Sequence, residues 1–185
     1  MDPDKQQIKN TIDKLFELYG GKESFAEDSK RQLEEFNEKW NQDAELLGRI
    51  LRSHLVVEHY LTVWLQYHNP QLGSIASAKL SFSNKVALVG ESDKAVKDLI
   101  PGIKRLNKIR NRIAHNLSVE ILPEDEDALK SSKYFKAMIE LNGGLYCSPS
   151  ATGIDLLEGF AKYSAGMLQA GGHKNSHKWR EAFGN

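Results

Sequence analysis

The chain has 185 residues, 40% of them hydrophobic, which suffices for one good core. Its 25 basic and 25 acidic residues cancel, so total charge argues for neither a nucleic-acid coat nor a membrane-surface protein. A single cysteine, Cys147, excludes an internal disulfide, and no run nears the ~20 apolar residues of a membrane span. With a polar N-terminus that lacks a signal-peptide core, these features predict a soluble, cytoplasmic protein with no membrane partner.

In chain order, apolar residues recur at helical spacing almost throughout. Ile8, Ile12, Leu15, Phe16 and Tyr19 predict a first amphipathic helix, stopped by Gly20-Gly21. Ser24 followed by Glu27 reads as a capping box opening a second helix. Its sparse stripe of Phe25, Leu33, Phe36 and Trp40 predicts a largely exposed surface. Asn41-Gln42-Asp43 breaks or kinks the chain before the strongest helix, Asp43 to Tyr67. That helix is apolar nearly all round (Leu46, Leu47, Ile50, Leu51, Leu55, Val56, Val57, Leu61, Val63, Trp64, Leu65), which predicts a place in the middle of a bundle. Glu58 falls on its seam with Leu47, Leu51, His54, Leu61 and Leu65, a carboxylate where a core residue belongs. His54 reads as a packed, hydrogen-bonded histidine.

Ser81 or Ser83 caps a short helix through Val89, ended by Gly90. Ser92-Asp93 opens the next, where Leu99, Ile103, Leu106, Ile113 and Leu117 form one buried stripe and Pro101-Gly102 kinks or divides the helix. Leu117 to Leu122 is a short strand or extended chain, and a single helix covers Asp125 to Asn142. After a glycine-bounded loop, Ile154 to Leu168 makes the last amphipathic helix, ended by Gly171-Gly172. The reading is all-α: a single-domain helical bundle over 43–170, helices of 1–42 packing on it, and a polar, basic tail over 171–185.

The neutral total hides one basic segment. Pro101 to Asn116 contains Lys104, Arg105, Lys108, Arg110 and Arg112 with no carboxylate, and Glu124, Asp125, Glu126 and Asp127 follow soon after. Arg110 falls where the apolar stripe calls for another apolar residue. A guanidinium does not give up its proton and is costly to bury unpaired, so this one needs a carboxylate or a task. Pairing it with Glu58 satisfies both misplaced charges at once. Lys104, Lys108, Arg112 and His115 share one face as a basic ridge, either an RNA-binding surface or an ordinary solvated one. Arg110 and His115 lie about 140° apart around a regular helix. They meet on one substrate only if the helix ends near His115 or a second copy contributes.

Arg110-Asn111-x-x-x-His115 resembles the Rx4-6H motif of HEPN domains, helical bundles found in prokaryotic toxins, antiviral nucleases and RNA-processing factors. Leu46 to Leu65, an apolar helix with one acidic residue inside, resembles the family's second core helix, and 43–122 carries the likeness. Where toxins paired with nucleotidyltransferase antitoxins often have tyrosine, two residues after the histidine, this chain has Leu117. The resemblance implies a four-helix core with extra terminal helices, acting as a homodimer. It also implies a metal-independent, cofactor-free endoribonuclease, a toxin or defence effector met by an antitoxin or regulatory protein. His115 and Arg110 are then the catalytic pair, Asn111 orients the imidazole or holds a phosphate oxygen, Glu58 is a buried support, and Lys104, Lys108 and Arg112 grip RNA phosphates. The alternative is a non-catalytic relative, such as the mannitol-operon-repressor-like proteins, binding RNA, a nucleotide or a protein. In a purely structural reading, Arg110 serves only an ion pair and His115 only the negative end of the helix dipole.

Weaker candidates complete the survey. His173 and His177 share a helix face but lack a third metal ligand; Lys174, His177, Lys178, Trp179 and Arg180 suit a strand-clasping tail; Cys147 has no activating neighbour and reads as inert.

Overall fold

The computed structural model describes residues 3–41, 44–90, 93–115, 120–141, 145–174 and 176–183, apart from the side chains of Lys39, His115, Trp179 and Arg180. Among the described residues all regular structure is helical, as the spacing predicted. The chain divides into two compact units, Met1–Gln42 and Asp43–Asn185.

The first unit is a hairpin of α1 (Pro3–Leu18) and α2 (Lys22–Trp40). Gly20 and Gly21 turn the chain at φ of 80° and 126°, backbone that favours glycine, and the Gly21 N–H donates to the Phe16 carbonyl at 2.7 Å. Because the glycine pair completes the turn by itself, α2 starts at once. Ser24 therefore lies inside its first turn, and the expected capping box does not form. Phe25 instead meets Phe16 and Tyr19 edge to face at 5.3 and 5.2 Å. Leu33, Phe36 and Trp40 are exposed, matching their sparse stripe.

The second unit contains α3 (Ala44–His68), α4 (Phe82–Val89), α5 (Lys94–His115), α6 (Pro123–Lys130), α7 (Lys133–Leu141), α8 (Gly153–Gly171) and α9 (Ser176–Ala182). The long helices α3, α5 and α8 pack on one another; α4 rests against α3 and α5, α6 against α5 and α8, and α9 against α8. Their shared core includes Ile50, Val57 and Leu61, then Leu99, Ile103 and Leu106, and Leu156, Leu157 and Phe160. The apolar girdle of α3 is not fully enclosed. Its partners cover the line Ile50, His54, Val57, Leu61 and Trp64, while Leu51, Leu55 and Val56 stay 37%, 62% and 39% exposed.

Caps set the boundaries. The Ser81 hydroxyl accepts from the Asn84 N–H at 3.1 Å to open α4, and the Asp93 carboxylate accepts from the Val96 N–H at 3.1 Å to open α5. Pro101 does not divide α5, which runs unbroken past it. The neighbouring Gly102 has a packing role: a Cβ there would fall on the Phe160 ring, so glycine lets that ring lie against the α5 backbone.

The helix expected over 125–142 is two. Asp98, on α5, accepts from the Ser132 hydroxyl at 2.6 Å and from the backbone N–H groups of Lys133 and Tyr134 at 3.1 and 3.2 Å. The Ser132 hydroxyl in turn accepts from the Phe135 N–H at 3.2 Å. A carboxylate from another helix thus satisfies the donors of a fresh N-terminus, and the chain breaks there. Of the stretch 117–122, read as strand or extended chain, residues 117–119 lie outside the described residues; Glu120 to Leu122 are irregular. The last amphipathic helix runs a turn longer than its apolar stripe, with Gly171 against the Trp64 indole. The tail carries α9, and Phe183 beyond it meets Tyr134 edge to face at 4.6 Å. No helix among the described residues is long and apolar enough to cross a membrane.

Candidate nucleic-acid interface

The basic segment lies on α5, and helical geometry sorts its cations into two sets. The buried line of that helix is Leu99, Ile103, Leu106, Ile109 and Ile113. From Leu106 the next inward step is three residues on, so Ile109 fills it and Arg110 sits half-buried on the flank. The expected core position of Arg110 is therefore corrected: the stripe has no gap.

Arg105 and Arg112, two turns apart, turn the other way. Both guanidiniums bind the fully buried carboxylate of Asp125, on α6, and Arg112 also donates to the Glu120 carbonyl at 2.8 Å. The Leu122 N–H donates to the same carboxylate at 2.8 Å. Burial pushes Asp125 up, but hydrogen bonds from Arg112, Leu122 and Arg105 outweigh it and hold the carboxyl below its ordinary range. Arg112, placed on the ridge by spacing alone, is thus committed to an internal pair.

Lys104 and Lys108 are exposed, and among the described residues neither pairs with a carboxylate. Arg110 donates to the side-chain oxygen of Asn111 at 3.1 Å, and no carboxylate among the described residues pairs with it. The expected Arg110–Glu58 pair does not form. Glu58 binds Lys85 of α4 at 2.8 Å and lies 3.9 Å from the His54 imidazole. A lysine from an adjoining helix reaches the half-buried carboxylate, so Glu58 is neutralised without the arginine.

His54 is buried, as expected. Its Nε2 meets the Asn107 side-chain oxygen at 3.0 Å, and its ring stacks on Phe82 at 4.3 Å. Burial pushes the imidazole below its usual range; Arg110 and Lys85 act the same way, while Asn107 and Glu58 oppose them. The neutral ring donates from Nε2, which fixes the direction of the Asn107 amide. The amide nitrogen of Asn107 donates to the Ser83 hydroxyl at 3.3 Å. Above this floor lies a cleft of about 240 Å³ lined by Phe82, Ser83, Val86, Lys104, Asn107 and Lys108.

The described part of α5 runs to His115, whose side chain lies outside the described residues.

No family model matches the chain. Neither does any curated protein or solved structure. Function therefore rests on this chain's own residues.

Among the described residues no three His, Cys, Asp or Glu side chains are grouped to hold a metal ion, and the His177 Nδ1 lies 3.3 Å from the Lys174 carbonyl. Burial raises the Cys147 thiol above its usual range, which disfavours the nucleophilic thiolate. Sequence reasoning missed Lys85, Ser83 and Asn107. Asn107 carried a signal: it stands between Lys104 and Lys108 at helical spacing, one turn before Arg110.

Proposed function

We propose that the chain is a metal-independent endoribonuclease of HEPN type acting on single-stranded RNA, with Arg110, Asn111 and His115 as its chemical groups. The observation that carries this reading is the sorting of charges on α5. Two of its arginines are committed to Asp125, whereas Lys104, Lys108 and Arg110 lack a carboxylate partner among the described residues and stand on the half that ends at His115. Cations kept clear of carboxylates suit a polyanion.

The chemistry needs only the substrate's own nucleophile. One His115 imidazole takes the proton of a ribose 2′-hydroxyl, and the 2′-oxygen attacks the adjacent phosphorus. The bond to the 5′-oxygen breaks, and that oxygen takes a proton from the partner subunit's His115 in a homodimer. The products are a 2′,3′-cyclic phosphate and a 5′-hydroxyl. Arg110 neutralises the charge gathered by the phosphorane, and Asn111, bonded to Arg110, sets the direction of the guanidinium. General acid–base help of this kind is worth about 10²–10⁴-fold. Lys104 and Lys108 hold flanking phosphates. In a cell such an activity suits a toxin or defence effector held in check by an antitoxin or regulatory protein.

A second reading, a non-catalytic module binding RNA, nucleotide or a protein partner, draws on the Lys104–Asn107–Lys108 cleft, which requires no contribution from His115. One experiment separates the two. The purified chain should cleave single-stranded RNA in EDTA, and Arg110→Ala and His115→Ala should each lower the rate at least ~10²-fold. Neither should move Tm much. Binding without cleavage selects the second reading; neither binding nor cleavage overturns both.

A further inference from the structure

We propose that the N-terminal hairpin is a dimerisation element: α1 and α2 of two copies join as an antiparallel four-helix bundle. This goes beyond the RNA reading and stands on the hairpin alone, although that reading needs such a dimer to supply its second His115. Three observations support it. First, the unit has no core of its own. At 42 residues it stands near the limit of about 40 below which a chain usually needs oligomerisation or cross-links. None of its described residues is buried. Phe16, Tyr19 and Phe25 close the turn end, but Ile8 and Leu33, farther from the turn, stay 59% and 57% exposed.

Second, the exposed apolar residues are patterned. Ile8, Ile12 and Leu15 step by four and three along α1; Ser29, Leu33, Phe36 and Trp40 step by four, three and four along α2. Helices that pack side by side in four-helix bundles have this seam spacing. Phe36 and Trp40 stack at 5.6 Å yet remain 55% and 73% exposed, and large aromatics are the residues that anchor interfaces. Third, area and charge suit a second copy. At about 200 Å² per large apolar side chain, Ile8, Ile12, Leu33, Phe36 and Trp40 expose on the order of 500 Å². An interface of standard size takes about 800 Å² from each partner, a little over half of it apolar, which this stripe supplies. Residues 3–10 carry Lys5 and Lys9 against Asp4, whereas 33–40 carry Glu34, Glu35 and Glu38 against Lys39. With charge of opposite sign, α1 of one copy suits α2 of the other, and a two-fold axis makes that contact twice.

The test is sedimentation velocity on the full chain across a concentration series, with RNA cleavage scored separately. The wild-type chain should sediment as a dimer. Leu33→Ala combined with Phe36→Ala should raise the dissociation constant at least ~10²-fold, since each anchor counts twice across the axis. Lys5→Glu combined with Lys9→Glu changes only exposed positions and leaves the stripe intact. It should weaken the dimer by a smaller factor that shrinks as salt is added. Leu55→Glu, at an exposed apolar position on α3, should leave the dimer intact. A monomer at every concentration overturns the assignment, whatever then covers the stripe. So does a dimer that survives Leu33→Ala with Phe36→Ala, or one broken by Leu55→Glu instead. A dimer that cleaves no RNA sinks the nuclease alone; a monomer that cleaves RNA sinks the hairpin assignment and leaves the nuclease.

Discussion

Arg112 donates to the fully buried carboxylate of Asp125, and this pair ties the last described turn of α5 to the first turn of α6. Arg105 completes the grip from two turns earlier. The catalytic pair proposed above flanks Arg112 on the chain, so the clamp also sets where the last turn of α5 stands.

Removing the buried acid leaves two arginines without their counter-charge. Asp125→Ala should cost about 3–5 kcal/mol in urea unfolding, and Arg112→Ala less, because Arg105 still serves the carboxylate. If Arg112 were an RNA-gripping residue, Arg112→Ala would weaken RNA binding at unchanged stability. Unfolding and binding curves on the same preparations tell the two apart.

His54 gives the fold a dependence on mild acid. Burial keeps the folded imidazole below the ordinary 6.5, while the unfolded chain takes up its proton there. Between those two values unfolding absorbs a proton, so stability falls as pH drops below about 6.5. Denaturation midpoints at pH 7.5 and pH 5.5 should differ in that direction, and His54→Gln should flatten the difference. An unchanged slope in the variant would show that other groups set it.

A second acid transition lies lower. Hydrogen bonds from Arg49, and then from Arg52, hold Glu158 at about 2, against an ordinary 4.5, with burial opposing them. The pairs measure 3.0 and 2.9 Å, and they tie α3 to α8. A depressed carboxyl stabilises above its unfolded value, and that contribution is lost as pH falls from about 4.5 toward 2. Thermal melts across this window should steepen in the wild type and be shallower in Glu158→Gln.

Packing offers a test free of charge effects. Gly102→Ala should destabilise by about 1–3 kcal/mol, since the new methyl meets the Phe160 ring. Pairing it with Phe160→Leu should recover part of the loss, as the smaller side chain makes room. A neutral Gly102→Ala would mean that α5 and α8 shift apart at little cost.

Much of the helical order was legible because its signals are local. Ser81, Asp93 and the Gly20-Gly21 pair act on residues within a turn of themselves, and apolar spacing located α3, α5 and α8. Two features were not legible for the same physical reason. The break between α6 and α7 depends on Asp98, far back on α5, and the partner of Glu58 is Lys85, delivered by a helix that had to be packed first. The position of Arg110 failed differently: a stripe stepping by three or four accommodates either Ile109 or Arg110, and only burial chooses. The sequence did place Glu124 to Asp127 soon after five cations. Arg105 and Arg112, seven apart on one helix face, were the available hint that one acid among them would be shared.

The carboxylate of Asp98 also implies an order of assembly. A nine-residue helix such as α7 has little tendency to nucleate alone, and three of its opening contacts come from α5. During synthesis α5 leaves the ribosome first, so the acceptor is already in place when Ser132, Lys133 and Tyr134 emerge. The later helix inherits its starting point from the earlier one.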